Sequence, residues 1–352
     1  MPPKPSTPAS LGAVALAAQV SKATASLALR NSAGPSKQTR ERVLKIAHQM
    51  GYVPDARMAM RMGGVAEAKS KDLLPIAWLN SNIDKDVWRK FKFHSPYIEG
   101  AAETCQRYGY RLEEIWIKQP GMTMRRIAEI LYQRGIQAVI VSAPITHLRL
   151  KWDHLAGVGI GGALLAPRLP RIDSNSHFNL LLALKMVRRL GYERIGICLA
   201  EQADRFTHRV MHATADHFYL KTPKAGRIPP IFYAGEADDV REMVERQIHK
   251  WLRLHRPQVV VGSTSHLLPW IQGAGFRVPD EVGLVHVSLD EDLLDWAGIH
   301  SNKREIGRVA AAQVISNLQN RQFGIPAAAP DILLQGKWQS GWTLPGKPTL
   351  GR

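Results

Sequence analysis

The sequence predicts a small all-α head with a helix-turn-helix, followed by an α/β body of two lobes built on parallel sheets. Three observations carry that prediction. Apolar residues recur at helical spacing three times before residue 51, strand-like and helix-like segments alternate from Leu73 onward, and the remaining length is enough for two further cores. At 352 residues, 45% hydrophobic and 22% charged, the composition is that of a globular protein.

In the head, Ser10 is placed to cap a first helix whose Leu11, Val14, Ala15 and Ala18 share one face. Ser21 caps a second, short helix, with Ala25, Ala28 and Leu29 inward and Lys22, Ala23 and Thr24 outward near its start. Ser36 opens a third after Gly34-Pro35, in which Val43, Ile46, Ala47 and Met50 repeat at i, i+3, i+4, i+7 before Gly51 stops it. Two short helices joined by a tight turn, with small polar side chains at the start of the second, point to a DNA groove. A three-helix bundle with no partner is the bland alternative.

In the body, Ile76 to Leu79 reads as a strand, Ser95 to Tyr108 as a helix, Arg111 to Ile117 as a strand and Met124 to Arg134 as a helix. Ala138 to Val141 reads as a buried strand, Phe178 to Leu190 as a helix and Arg194 to Leu199 as a strand. Val240 to Leu254 reads as a helix before strands at Gln258 to Val261 and Val282 to Val287. Such alternation argues for parallel strands with crossover helices. Trp78, Trp251, Trp270 and Trp338 are expected in cores or lobe packing.

Charge narrows the partner. The formal net charge is +17, and residues 1–64 set nine Lys and Arg against Glu41 and Asp55. A basic head favours a polyanion, because its cations release counterions from a phosphate backbone. The two cysteines, Cys105 and Cys198, are far apart and lack metal-ligand spacing, so buried reduced thiols in a cytoplasmic protein are expected, with no metal and no cofactor. No apolar run reaches the roughly 18 residues of a membrane span.

Two other classes are set against this reading. Lys4 with the run Leu11 to Ala18, and Ala15-Leu16-Ala17 as a cleavage site, gives the pattern of a short secretory signal and hence an exported solute-binding protein; Gly12, a short apolar run and four prolines speak against it. An enzyme would need a chemical signature. The chain has no G-x-S-x-G, no G-x-x-x-x-G-K and no H-E-x-x-H, and Gly157 to Gly162 lacks the context of a dinucleotide loop.

Val14-Ala15, Ala18, Val20-Ser21, Thr24, Ser26, Leu29, Ser36, Thr39-Arg40, Val43 and Gly51-Tyr52-Val53-Pro54-Asp55 fall in one register. In that register the head resembles the lactose-repressor/galactose-repressor (LacI/GalR) family. The resemblance implies that the helix from Ser21 enters the major groove. Lys22, Ala23 and Leu27 would then face base edges, Ser21, Thr24 and Ser26 would contact phosphates, and Ser10, Asn31, Arg40 and Tyr52 would complete the interface. Of the three base-facing residues, Lys22 alone offers a strong donor to guanine.

Three departures from the family pattern stand out. Gln19 occupies the turn position usually held by glycine, which predicts mild strain for a left-handed backbone. Arg30 replaces an asparagine and adds a phosphate-seeking charge. After Pro54, where the family has a hinge helix with a minor-groove leucine, the segment carries Arg57, Met60, Arg61 and Met62. Met60 or Met62 is a candidate apolar wedge, with Arg57 and Arg61 toward minor-groove phosphates; a basic flexible linker ending in Gly63-Gly64 is the alternative.

The body is similar to the family's periplasmic-binding-protein-like effector domain, through Leu190-Gly191-Tyr192-Glu193-Arg194-Ile195-Gly196, Gly275 to Val282 and Glu305 to Ala310. By position, the resemblance implies Phe93, His94, Asn175, Arg209, Thr264 and Asp290 as effector-binding residues. Asn175 and Thr264 stand where the family has acids, so a sugar held by carboxylates is a weaker expectation. His94 and His177 also read as ordinary surface or cap histidines, and Arg209 as part of a solvated charged face.

The expected organisation is a disordered stretch over 1–9, a DNA-binding head over 10–55, a hinge over 56–71, a two-lobed effector and dimerisation domain over 72–345 and a tail over 346–352. The expected partners are near-palindromic double-stranded operator DNA, a small-molecule effector and a second copy of the chain, with no membrane. The tail has no leucine heptad for a tetramer bundle.

Overall fold

A computed structural model describes residues 10–29, 35–50, 52, 73–82, 84–86, 95–142, 145–205, 207–235, 239–289 and 291–344. Arg30, Asn31, Arg57, Met60, Arg61, Met62, Phe93, His94 and Asp290 lie outside the described residues, as do the expected N-terminal stretch, hinge and tail. The chain divides into two compact units, one of residues 1–73 with 316–322 and one of 74–315 with 323–352.

The head has three helices, α1 (Leu11–Ala17), α2 (Lys22–Leu29) and α3 (Lys37–Gln49). Their common core is Val14, Ala15, Ala18, Ala25, Ala28, Val43 and Ala47, with Leu11, Val20, Leu29, Ile46 and Tyr52 packed on it. Alanine at five of seven buried positions lets three short helices approach closely. Met50, expected on the buried face, is instead 36% exposed, because α3 has already passed its last core contact at Ala47.

The body begins with β1 (Leu74–Asn80), α4 (Ser95–Arg107), β2 (Tyr110–Trp116), α5 (Met124–Gln133), β3 (Ala138–Ser142), β4 (Ala156–Ile160) and β5 (Arg171–Ser174). It continues with α6 (Ser176–Arg189), β6 (Ile195–Ala200), α7 (Glu201–Arg205), α8 (Val210–Lys221), β7 (Ile231–Tyr233), α9 (Arg241–His255), β8 (Val259–Gly262), α10 (Leu267–Gly273) and β9 (Gly283–Leu289). The last elements are β10 (Gly298–His300), α11 (Lys303–Gln319), β11 (Asp331–Leu334) and β12 (Lys337–Gln339).

Two six-stranded sheets result, ordered β11-β5-β4-β3-β1-β2 and β12-β10-β9-β8-β6-β7. The first is parallel throughout, and in the second only β12 runs antiparallel, against β10. Alternate residues of the second sheet fill separate cores: Val259, Val261, Val285 and Val287 on one face, Val260 and Leu284 on the other. That two-sided burial explains the continuous apolar runs read in the sequence. Trp78, Trp251 and Trp270 are buried, and Trp338 packs at the edge of a core. Cys105 and Cys198 are buried free thiols, and burial pushes Cys105 up to about 12.

Three connections join the lobes: β5 into α6, β10 into α11, and β11 into β12. They are laced together. The Asn175 N–H donates to Leu334 O at 2.8 Å, Asn302 Nδ2 to Gln335 O at 2.9 Å, and the Gly336 N–H to Asn179 Oδ1 at 2.8 Å.

Candidate nucleic-acid interface and effector site

The head's interface is organised by hydroxyl caps. Ser10 Oγ accepts from the Ala13 N–H at 3.2 Å and Ser36 Oγ from the Thr39 N–H at 3.2 Å, each satisfying a free donor of a first turn. Ser21 Oγ accepts from the Thr24 N–H at 3.0 Å and meets Thr24 Oγ1 at 2.9 Å. Thus Ser21 and Thr24, both expected at phosphates, form one hydroxyl pair at the start of α2.

The chain between α1 and α2 turns through 101°, within the range of helix-turn-helix corners. Gln19 makes that turn with φ +52°, the left-handed conformation expected to be strained there. Ser10, Ser21, Lys22 and Ala23 are exposed, while Thr24, Ser26, Leu27 and Arg40 are half-buried. The Lys22 stem lies against α1, where a Cβ on Gly12 would come within 2.9 Å of its Cε. Tyr52 packs on the head core, and its N–H donates to Ala47 O at 2.9 Å.

The second site lies at the carboxyl ends of the body strands, where open parallel sheets leave a crevice. Asn175 sits directly after β5 and caps α6, its Oδ1 accepting from the Phe178 N–H at 3.0 Å. Thr264 follows β8, is 6% exposed, and accepts from the His266 N–H at 3.2 Å. Arg209 is exposed at the start of α8. His177 is an exposed residue of the first turn of α6, its Nδ1 2.7 Å from Thr214 Oγ1.

The turn that presents Arg209 is held by a residue the sequence reading missed. Asp204, buried at the end of α7, accepts from Thr207 Oγ1 at 2.7 Å, from the Met211 N–H at 2.8 Å and from the His212 N–H at 3.1 Å, and also bonds His212 Nδ1. Burial alone would raise its pKa, but the bonds from Thr207, His212 and the two amides outweigh that and hold the carboxyl below its ordinary value. His212 in turn stacks on Phe232 with ring centroids 3.3 Å apart. Within this frame His208 and Arg209 adopt φ +56° and +60°, two consecutive left-handed residues without glycine.

His208 helps line a cavity of about 230 Å³ with Gly161, Arg168, Arg171 and Asp331. The cavity therefore joins the β4–β5 loop of the first lobe to the α8 turn of the second. Arg171 is forked onto Asp331, with Nε–Oδ1 at 3.1 Å and Nη2–Oδ2 at 2.7 Å. Asn175, Arg209 and Thr264 are not among its lining residues, so the described structure does not bring the sequence-predicted trio together there. No sequence signal marks Asp204, which holds the turn, or Arg168 and Asp331, which only the tertiary fold brings to one cavity. Among the described residues no cluster of His, Cys, Asp and Glu is arranged to hold a metal, and no single helix is long and apolar enough to cross a membrane.

Residues 10–55 match the model of the lacI family of bacterial regulatory proteins. No curated protein matches the sequence. In fold, the chain is similar to a transcriptional regulator, CelR, in complex with cellobiose: 15% identical, TM-score 0.57, covering 95% of this chain and 99% of that one. A lac repressor dimer bound to operator and the anti-inducer ONPF is 16% identical with TM-score 0.55, over 96% of this chain and all of that one (100%). A LacI family transcriptional regulator from Enterococcus faecium with bound ribose is 12% identical with TM-score 0.54, over 78% of this chain and 100% of that one. Residues 10–55 are thus a lacI-family head, carried on a chain whose fold is similar to that of the regulators above.

Proposed function

We propose that the protein is a homodimeric repressor, acting in the cytoplasm, whose affinity for a near-palindromic operator is set by a small metabolite bound between the body lobes. One observation carries the reading: α2 leaves a basic corner helix with its capped, hydroxyl-lined start exposed, and this fits a helix that enters the major groove. Lys22 reads guanine, Ala23 and Leu27 give apolar base contact, and Ser10, Ser21, Thr24, Ser26, Arg30, Asn31, Arg40 and Tyr52 position the head on the backbone. Arg57, Met60, Arg61 and Met62 act at the minor groove beside it.

The cellobiose and ribose of the similar structures support a sugar or related metabolite as effector. Phe93, His94, Asn175, Arg209, Thr264 and Asp290 hold it. Burial of Val14, Ala15 and Ala18 in the head core argues against the exported alternative, since cleavage after Ala17 would divide that core.

Genomic footprinting supplies the operator for the test. Deleting residues 1–64 is expected to abolish operator binding and leave a folded, ligand-competent dimer. Specific binding retained by the truncated chain overturns the reading.

A further inference from the structure

Charge is concentrated in two places. Residues 1–64 carry +7, the three segments 185–194, 221–227 and 250–256 carry +9, and the rest of the chain carries +1. The second sheet makes those three segments neighbours. β7, β6 and β8 lie side by side and parallel, so the residues before Ile231, Ile195 and Val259 share one edge, as do the ends of α6, α8 and α9. This is the amino-end edge of the sheet, opposite the effector crevice. The three segments hold ten Lys and Arg and one carboxylate, Glu193, while on the adjoining β9 end Asp280 and Glu281 are taken up by Arg277.

Helix carboxyl ends attract cations by themselves, and part of the cluster serves that purpose. Arg194 Nη1 donates to Ala225 O at 3.2 Å and its Nη2 to His255 O. Arg227 donates to Leu220 O at 3.0 Å and Thr222 O at 3.1 Å, and Arg188 to Thr222 Oγ1 at 2.8 Å. Arg188 also lies 4.4 Å over the Phe218 ring, and Arg227 5.2 Å over Tyr219. These bonds lock guanidinium planes in place. Around them Lys185, Arg189, Lys221, Lys224, Lys250 and Arg256 are exposed, more positive charge than three helix ends require. Two depressions of about 430 and 520 Å³ share Arg188 as a wall.

We infer that this edge is a second binding surface for the phosphate backbone of duplex DNA, independent of base sequence. Fixed guanidinium groups present a set positive charge to phosphate oxygens, and the exposed lysines around them gain by counterion release. Such a surface lets a protein engaged through its heads hold a second DNA segment.

The test uses the full-length protein and a short duplex of arbitrary sequence. The quadruple change Arg189→Gln, Lys221→Gln, Lys224→Gln and Lys250→Gln is expected to flatten the plot of log affinity against log salt by about 2 to 3, given roughly 0.9 per lost phosphate contact. An equal loss of charge elsewhere, by Lys118→Gln, Arg125→Gln, Arg149→Gln and Lys151→Gln, is expected to leave the slope nearly unchanged. Equal flattening by both sets, or by neither, overturns the inference. In the unaltered protein, the duplex should protect Lys221 and Lys224 from acylation; no protection overturns it as well. Retention of polyglutamate but not of duplex would place an acidic protein on this edge instead, and would also overturn it.

Discussion

The head and the body each start a functional helix after a left-handed turn made without glycine, yet the two turns are held differently. Gln19 is stabilised by its own neighbours: its N–H donates to Leu16 O at 3.1 Å, the Val20 N–H to Ala15 O at 3.0 Å, and Ser21 then caps α2. His208 and Arg209 are held by Asp204, whose buried carboxylate gathers donors from Thr207, Met211 and His212. Each left-handed non-glycine residue costs about 1–2 kcal/mol. In the head the strained side chain is incidental, because glycine would make the same turn. In the body the turn puts the His208 imidazole in a cavity wall, with Arg209 next in the chain, exposed and outside that lining. Strain marks function where the strained side chain itself faces the site.

The largest test of that contrast is Asp204→Asn. It leaves α8 donors poorly matched and should cost about 2–3 kcal/mol in urea unfolding of the full chain, the scale for buried charge-assisted bonds. The pH dependence has a definite sign. Because the folded carboxyl lies below its ordinary value of about 4, its stabilisation is complete above that pH and is lost as pH falls through the folded value. The variant should lack that part of the acid limb; an unchanged stability and acid limb would remove Asp204 from its role.

Next comes Arg209→Gly. Glycine suits φ +60°, so stability should hold or rise by up to about 1 kcal/mol. A ligand found by thermal-shift screening of sugars and related metabolites should nevertheless bind about ten-fold more weakly, or 1.4 kcal/mol. Unaltered affinity would make the two turns equivalent. The smallest effect is Gln19→Gly, which should stabilise the head by about 0.5–1 kcal/mol without changing which operator bases are preferred. A changed preference, read by selection from random duplexes, would break the comparison from the other side.

The head was legible because its determinants are local. Ser10, Ser21 and Ser36 cap within their own chain segments, and the spacing of Val14, Ala15, Ala18, Ala25 and Ala28 directly encodes one face. Met50 followed the spacing but lay past the core. In the body, the strands and helices that the sequence predicts lie within a residue or two of the observed ones at most ends, whereas α8, α11 and β4 were not seen. In β4, Gly157 and Gly159 weaken a strand signal, and the reason for Gly157 is distant: a Cβ there would lie 2.6 Å from Trp152 and 2.9 Å from Leu169. β5, β7, β10, β11 and β12 are only three or four residues long, too short for period to register. Asp204 looks like any surface acid of a charged stretch until Thr207, Met211 and His212 fold around it.

The three laced connections between the lobes have a mechanical meaning. A single thread would allow swivel, splay and twist alike. Three threads bonded side by side through Asn175, Asn302 and Gly336 behave as a door hinge, stiff in every direction except rotation about one axis. The body's internal state then reduces to one angle. A change in that angle, however it is brought about, is then a message written in a single coordinate.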